Sequence, residues 1–421
     1  MFEKMERNNF WKGEVVGFGY IRENYLKKLE DYLGNSLVKV LLGQRRVGKS
    51  YILRMLINYL IAEKAVSPSN ILYINMDLQD FSFIKDSQSL LDAVSLYKSK
   101  LHPSGRIYIF LDEVQEIRDW EKAVNSLSQQ FIESYEIFIT GSNAKIFSSE
   151  LATYLSGRYV SFIVSPFSFS EFCGIKKLGY DKNSFLEYLK VGGMPELYAL
   201  TSLELQQNYI ASLKDSIVLR DVIRKNRVRD SILLDKLVDF LIDSVGSLFS
   251  INSVVKTLTA SGFKTNNETI GNYLDFLKEA FFIHSSRRFD LKGRKILKGE
   301  QKYYLNDLAF KYYLSSSFDF GIGRYLENIV FMELRRQQYT IYTGGINGKE
   351  IDFIAEKNGE RKYIQVTYLL SSNAVIEREF GNLELISDNY EKLVVSMDDV
   401  NMGNRNGIRH INAWDFCSEL K

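Results

Sequence analysis

Eight residues near the start of the chain restrict its fold more than any other feature. Gly43 to Ser50 reads GQRRVGKS, a full match to G-x-x-x-x-G-K-[S/T], between the apolar run LVKVLL and the helical run YILRMLINYL. A strand that enters a glycine-bounded loop and leaves as a helix turns backbone N–H groups inward at phosphate oxygens, and the helix adds the positive end of its dipole. The stretch Gly43, Gln44, Arg45, Arg46, Val47, Gly48, Lys49, Ser50 and Tyr51 is the expected cradle. Lys49 reaches the β and γ phosphates, and the Ser50 hydroxyl ligates the magnesium that bridges them. No N-K-x-D guanine-reading motif follows, so ATP with Mg2+ is the expected pair.

The rest of such a site should come from the ends of neighbouring strands. Asp112 and Glu113 close the run IYIFLDE, where an aspartate holds magnesium-bound water and the glutamate beside it acts as general base. The run YEIFITG ends in Ser142 and Asn143, and Asn143 is placed to sense the γ phosphate or orient the lytic water. Arg158, in LSGRY, either stabilises transition-state charge, in its own or a neighbouring subunit, or caps helix carbonyls.

Short apolar runs separated by helical stretches (LVKVLLG, ILYINMD, IYIFLDE, YEIFITG, RYVSFIV) are the pattern of a parallel sheet covered on both faces, an α/β fold. At about 150 residues per domain, 421 residues imply two or three domains. The pattern divides into an N-terminal helical segment (1–36), a P-loop core (37–164), a helical lid with connecting helices (165–246), a helix–turn–helix–hairpin unit of winged-helix order (247–305) and an α+β terminal domain (306–421). In the fourth segment Ser250 caps one helix, Thr265 and Glu268 form a capping box for the next, and a turn at LKGR joins two strands. Two distant cysteines and three histidines exclude a disulfide framework and a zinc site. No run is long and apolar enough to span a bilayer and the first residues lack a signal peptide's apolar core, so no membrane and a cytoplasmic location are expected.

GQRRVGKS, FLDEVQEI, ITGSN and LSGRY, in this order, resemble the AAA-type ATPases in which the catalytic glutamate directly follows the magnesium aspartate. SPFSFSEF, VGGMPE, LRDVIRKNRVRD and ENIVFMELRRQQY, followed by EIDFIAEKNGERKYIQVTY, narrow the resemblance to bacterial and archaeal ATPases that join this module to a C-terminal domain of unknown function. The resemblance implies a P-loop ATPase core with a helical lid, a winged helix and a restriction-endonuclease-like terminal domain.

Nucleases of the PD-(D/E)xK kind place a glutamate on a helix, an aspartate on a strand and an acid-x-lysine on the next strand. Glu327 falls on the helix and Asp352 on the strand with Glu350 on the same face, but the last two positions hold Gln365 and Thr367, and Lys362 has the wrong parity to replace the lysine. The expectation is a nuclease-like fold without nuclease activity. The net charge of +2 hides a basic hairpin: Arg287, Arg288, Lys292, Arg294, Lys295, Lys298 and Lys302 face only Asp290 and Glu300, an excess of five. That hairpin is the expected contact for DNA phosphates. The preceding helix carries Glu268, Asp275 and Glu279 beside Lys278, which suits a protein partner or a second copy of the chain instead.

Overall fold

A computed structural model describes residues 1–13, 19–147, 154–155, 157–315 and 321–420, without the side chains of 146, 147 and 298. They form two compact units, Met1–Val164 and Ser165–Lys421. Ser156 of LSGRY lies outside the described residues, as does the side chain of Lys298.

In the first unit the five apolar runs are strands β1 (Val38–Leu42), β2 (Ile71–Asn75), β3 (Ile107–Asp112), β4 (Tyr135–Gly141) and β5 (Tyr159–Ile163). They pair in parallel in the order β2-β3-β4-β1-β5, the α/β arrangement of a P-loop NTPase. Every residue of β1 and β4 is buried, as near-continuous apolar runs require. The exceptions neutralise each other: Lys39 Nζ in β1 lies 2.7 Å from Glu136 Oε1 in β4, both fully buried, and Arg106 and the Gly34 N–H satisfy the same carboxylate. Near the chain start, Asn9 exchanges two hydrogen bonds with the Tyr73 backbone and Trp11 Nε1 donates to Ile71 O, which closes the outer edge of β2. Within the N-terminal segment expected to be helical, Glu23–Glu30 is α-helical, and Tyr32 and Leu33 continue it through tighter i→i+3 bonds before Gly34, at φ 85°.

The second unit opens with helices Phe169–Lys176, Lys182–Val191 and Leu203–Ser216, a π-helical segment Ile217–Arg224 and a helix Ser231–Asp243. Helices Ile251–Ala260 and Asn267–Glu279 follow, then strands β7 (Ile283–Asp290) and β8 (Lys295–Leu305) around the LKGR turn, with β6 (Leu248–Phe249) beside β8. Ser250 caps the first of the two helices as expected. The second is capped by Asn266, whose Oδ1 accepts from Thr269 N, and not by Thr265: the extended backbone at Asn266, φ −144°, is what aims a short side chain back at the first turn.

Across the expected boundary between 305 and 306 the strands belong to one sheet. Strands β9 (Thr340–Ile346), β10 (Lys349–Lys357), β11 (Glu360–Val366), β12 (Glu391–Ser396), β13 (Asn404–Arg405) and β14 (Ile408–Asn412) join the hairpin in one sheet, β13-β14-β12-β11-β10-β9-β7-β8-β6 among the described residues. The junction is a parallel pairing of β7 with β9, Arg287 opposite Tyr342 through Asp290 opposite Gly345. Ladder hydrogen bonds between segments far apart in sequence leave no mark in local composition, which is why the hairpin reads as a separate unit in the sequence. Against this sheet Ile351, Ile354, Tyr363, Phe380, Leu383 and Val394 form a buried core.

Candidate functional site

Parallel pairing brings the ends of β1, β3 and β4 to one edge of the first sheet. The loop that leaves β1 there is fixed by its glycines for two different reasons. A Cβ on Gly43 would lie 2.1 Å from Val164 O, so no larger residue fits beside the exit of β5. Gly48 has φ 96° and is the N-cap of helix Lys49–Ala62, whose first turn has no side-chain cap. Lys49 folds over this loop: its Nζ donates to Gly43 O (3.1 Å) and Gln44 O (3.2 Å) and lies 3.3 Å from Glu113 Oε1. From behind, the buried Arg22 donates to Val47 O at 3.0 Å.

Asp112 is fully buried at the end of β3. Its two oxygens accept from Thr140 Oγ1 (2.5 Å) and the Tyr73 hydroxyl (2.8 Å), and the Ser50 hydroxyl also bonds it. Burial pushes the Asp112 carboxyl up, against the pull of these donors. Glu113 follows in the left-handed region, φ 56°, a conformation that costs a non-glycine residue strain, and its N–H donates to Thr140 Oγ1 at 2.9 Å. Its carboxylate faces Lys49 and accepts from Gln115 Nε2 at 2.5 Å. Asn143 is buried at the end of β4, with its Oδ1 accepting from Lys145 N at 2.7 Å.

Lys49, Ser50, Asp112, Glu113 and Asn143 therefore meet at one edge. Arg158 does not join them. It precedes β5, which starts opposite Val38, so it stands at the other end of the strands, about 16 Å away along β5; its side chain is exposed and its backbone bridges Leu155 and Val38. Of the alternatives for Arg158, a role on the phosphates of its own chain is excluded by this position. Thr140, Tyr73 and Arg22 are the polar residues that the sequence reading missed. Thr140 looks like one more β-branched strand residue, and only the β3–β4 register reveals that its hydroxyl spans both acidic residues.

The second unit contains a different cluster. Lys302, counted above with the exposed hairpin charge, is 4% exposed and its Nζ lies 2.8 Å from Glu327 Oε1, 2.7 Å from Glu350 Oε1 and 3.4 Å from Asp352 Oδ1. Tyr304, two residues on and on the same face of β8, donates to Glu327 Oε1 at 2.6 Å. Burial pushes Asp352 up to about 7, helped by Glu327 and Glu350 and opposed by Lys302 and the Val366 N–H. Gln365 explains its own presence: its Oε1 accepts from Asp352 N (2.9 Å) and its Nε2 donates to Glu379 Oε2 (2.8 Å), and a carboxylate cannot make the second bond. The lysine facing these acids thus comes from β8, and not from the strand that carries Thr367. Removing Lys302 from the hairpin's charge, and with Arg288 paired to Glu300 at 3.1 Å, the exposed cations described there are Arg287, Lys292, Arg294 and Lys295.

Fold and site together define a P-loop NTPase unit, and residues 35–173 match the family described as AAA domain. A second match, to a domain of unknown function, covers residues 182–320. That match covers connecting helices, the helix pair and the hairpin. Two proteins, each named as uncharacterized, are similar over most of their length: one from Haemophilus influenzae, 37% identical over 89% of this chain and 92% of its own, and one from Methanocaldococcus jannaschii, 30% identical over 87% and 81%. The chain belongs to the family that these two proteins represent. Among solved structures, distant likenesses are to Aeropyrum pernix Orc1 in complex with DNA (15% identity, 72% of this chain, 94% of that one, TM-score 0.31) and Pyrobaculum aerophilum Cdc6p (13%, 69%, 91%, TM-score 0.31). No helix among the described residues is long and apolar enough to cross a membrane.

Proposed function

We propose that the chain is a magnesium-dependent ATPase whose turnover drives a conformational change in its second unit. The reading is carried by one observation: Glu113, held in a left-handed conformation at the end of β3, stands 3.3 Å from the P-loop Lys49 while the neighbouring Asp112 is hydrogen-bonded to Ser50. Lys49 and the uncapped N–H groups after Gly48 bind phosphate oxygens, Asn143 senses the γ phosphate, and Glu113 takes the proton of the attacking water. Ser50 and Asp112 supply the oxygen-only ligands that suit magnesium, which offsets phosphate charge when bound. Arg158 serves a neighbouring copy or caps its own helix. In the second unit the helix pair and hairpin act as a winged helix on a nuclease-like sheet that does not cleave, and the hairpin cations contact DNA.

A second reading, a nucleotide-gated switch with little turnover, is favoured by the engagement of the Glu113 carboxylate with both Lys49 and Gln115. Single-turnover ATPase assays on wild type, Lys49→Ala and Glu113→Gln separate the two. The enzyme reading expects Glu113→Gln to bind ATP and hydrolyse it about 100-fold or more slowly. Near-equal slow rates for wild type and Glu113→Gln leave only the switch.

A further inference from the structure

The tip of the hairpin does not end in open solvent. Between the LKGR turn, the β9–β10 turn at Ile346 and Asn347, and the segment 385–390 lies a groove of about 700 Å³. Its walls carry Phe289 and Tyr390, with the fully buried Tyr363 behind them, and three cations, Lys292, Arg294 and Arg361, of which Arg361 is paired with Glu356. Asp388, the one acid on the lining, is engaged: its Oδ2 accepts from the Tyr363 hydroxyl at 2.6 Å. The Arg361 guanidinium sits among the rings, 5.8 Å from the centre of Phe289, 6.0 Å from Tyr363 and 5.7 Å from Tyr390.

The groove is built and not merely charged. Asp290 Oδ1 accepts from Lys292 N at 3.1 Å and a Cβ on Gly293 would fall 2.5 Å from Asp290 Oδ2, so the turn is held tight. It presents Lys292 and Arg294 exposed at the rim, where among the described residues neither makes an ion pair. Tyr390, 45% exposed, and Leu385, 43% exposed, form the opposite wall. An exposed tyrosine ring beside cations has two complementary needs, a flat π surface and a negative charge.

From this juxtaposition of aromatic faces and unpaired rim cations we infer that the groove binds a segment of single-stranded nucleic acid, with a base stacked on Tyr390 and the flanking phosphates on Lys292 and Arg294. A duplex keeps its bases stacked inside and offers no face to Tyr390, so it uses the phosphate contacts alone. The inference rests on the nucleic-acid reading of the hairpin and assigns it a strand form and a place.

Fluorescence anisotropy with a labelled oligothymidylate and a duplex of equal length, on the full-length chain at two salt concentrations, tests it. Tyr390→Ala is expected to weaken oligothymidylate binding about 5-fold to 100-fold and to leave duplex binding unchanged. The double variant Lys292→Ser with Arg294→Ser should weaken both and flatten the dependence on salt. Tyr390→Phe, which keeps the ring, should bind as wild type and reports that the loss in Tyr390→Ala is one of stacking. If duplex binding is intact and Tyr390→Ala binds oligothymidylate as wild type does, the groove assignment falls and the hairpin reading stands. If neither nucleic acid binds, or an acidic peptide competes better than either, both fall.

Discussion

Replacing Lys302 by methionine keeps the length of the side chain and removes its ammonium from among three carboxylates. Taking one partner out of a buried ion cluster leaves uncompensated charge at a cost of about 3–5 kcal/mol. The protonation of Asp352 provides an independent scale. Its carboxyl is raised from 3.8 to about 7 with Lys302 in place, a difference that corresponds to about 4 kcal/mol against the ionised form. The sign of the pH dependence follows from that direction. The folded chain holds the Asp352 proton up to about 7 while an unfolded carboxyl releases it near 3.8, so in between the folded state binds more protons and stability falls as pH rises. Without the ammonium the Asp352 and Glu327 carboxyls lose the charge that opposes their upward shift, and the slope steepens. Hydrogen exchange, read on β8 and on the helix Ile322–Arg336, is the suitable assay because two compact units do not unfold as one. Amides there should lose about 3–5 kcal/mol of protection at pH 8 and much less at pH 5. Lys302→Arg, which retains the charge, should lose less than Lys302→Met. A loss under about 1 kcal/mol at pH 8, or an equal loss at both pH values, would refute the ion-cluster reasoning.

Two further substitutions test other parts of the structure. Gln365→Glu removes the amide N–H that Glu379 accepts and sets two carboxylates face to face; hydrogen exchange read on β11 should show a loss of about 1–3 kcal/mol at pH 8 that is smaller at pH 4. Arg158→Ala should leave ATP turnover unchanged within about twofold at protein concentrations where the chain is dilute, because Arg158 stands at the far end of the strands from its own P-loop. A rate measured against protein concentration checks this, and a fall at the lowest concentration contradicts it.

The P-loop and Asp112/Glu113 were legible because each is a local event: a motif read along the chain, or a polar pair where an apolar strand stops. The same locality brought out the five strands, the Ser250 cap and the LKGR turn. What remained hidden depends on pairing. Thr140 bridges Asp112 and Glu113 only because β4 lies beside β3 in one register. Lys39 and Glu136 look misplaced in apolar runs until β1 and β4 are neighbours. Lys302 was counted as a surface charge because its strand continues a basic hairpin, and its parity turns it toward Glu327, Glu350 and Asp352 only once β8 is built into the larger sheet. The error at Thr265 is smaller and of another kind: two capping-competent residues stand together, and the backbone angle at Asn266 decides between them.

The fusion of hairpin and sheet has a mechanical consequence. A hairpin attached only at its root swings freely, but here the outer half of β7, Arg287–Asp290, is paired to β9, while β8 bulges between Ile296 and Gln301, with Gly299 at φ 115°, before it reaches Lys302 in the acidic cluster. A bulge leaves residues unpaired and lets a strand bend where a regular ladder would hold it straight. A load applied at the tip is therefore carried into the sheet through the β7–β9 pairing, and bending at the bulge of β8 separates it from the Lys302 ammonium and its three carboxylates. The bulge is thus a joint in β8 that sets the exposed cations at the tip apart from the charge balance of the buried cluster.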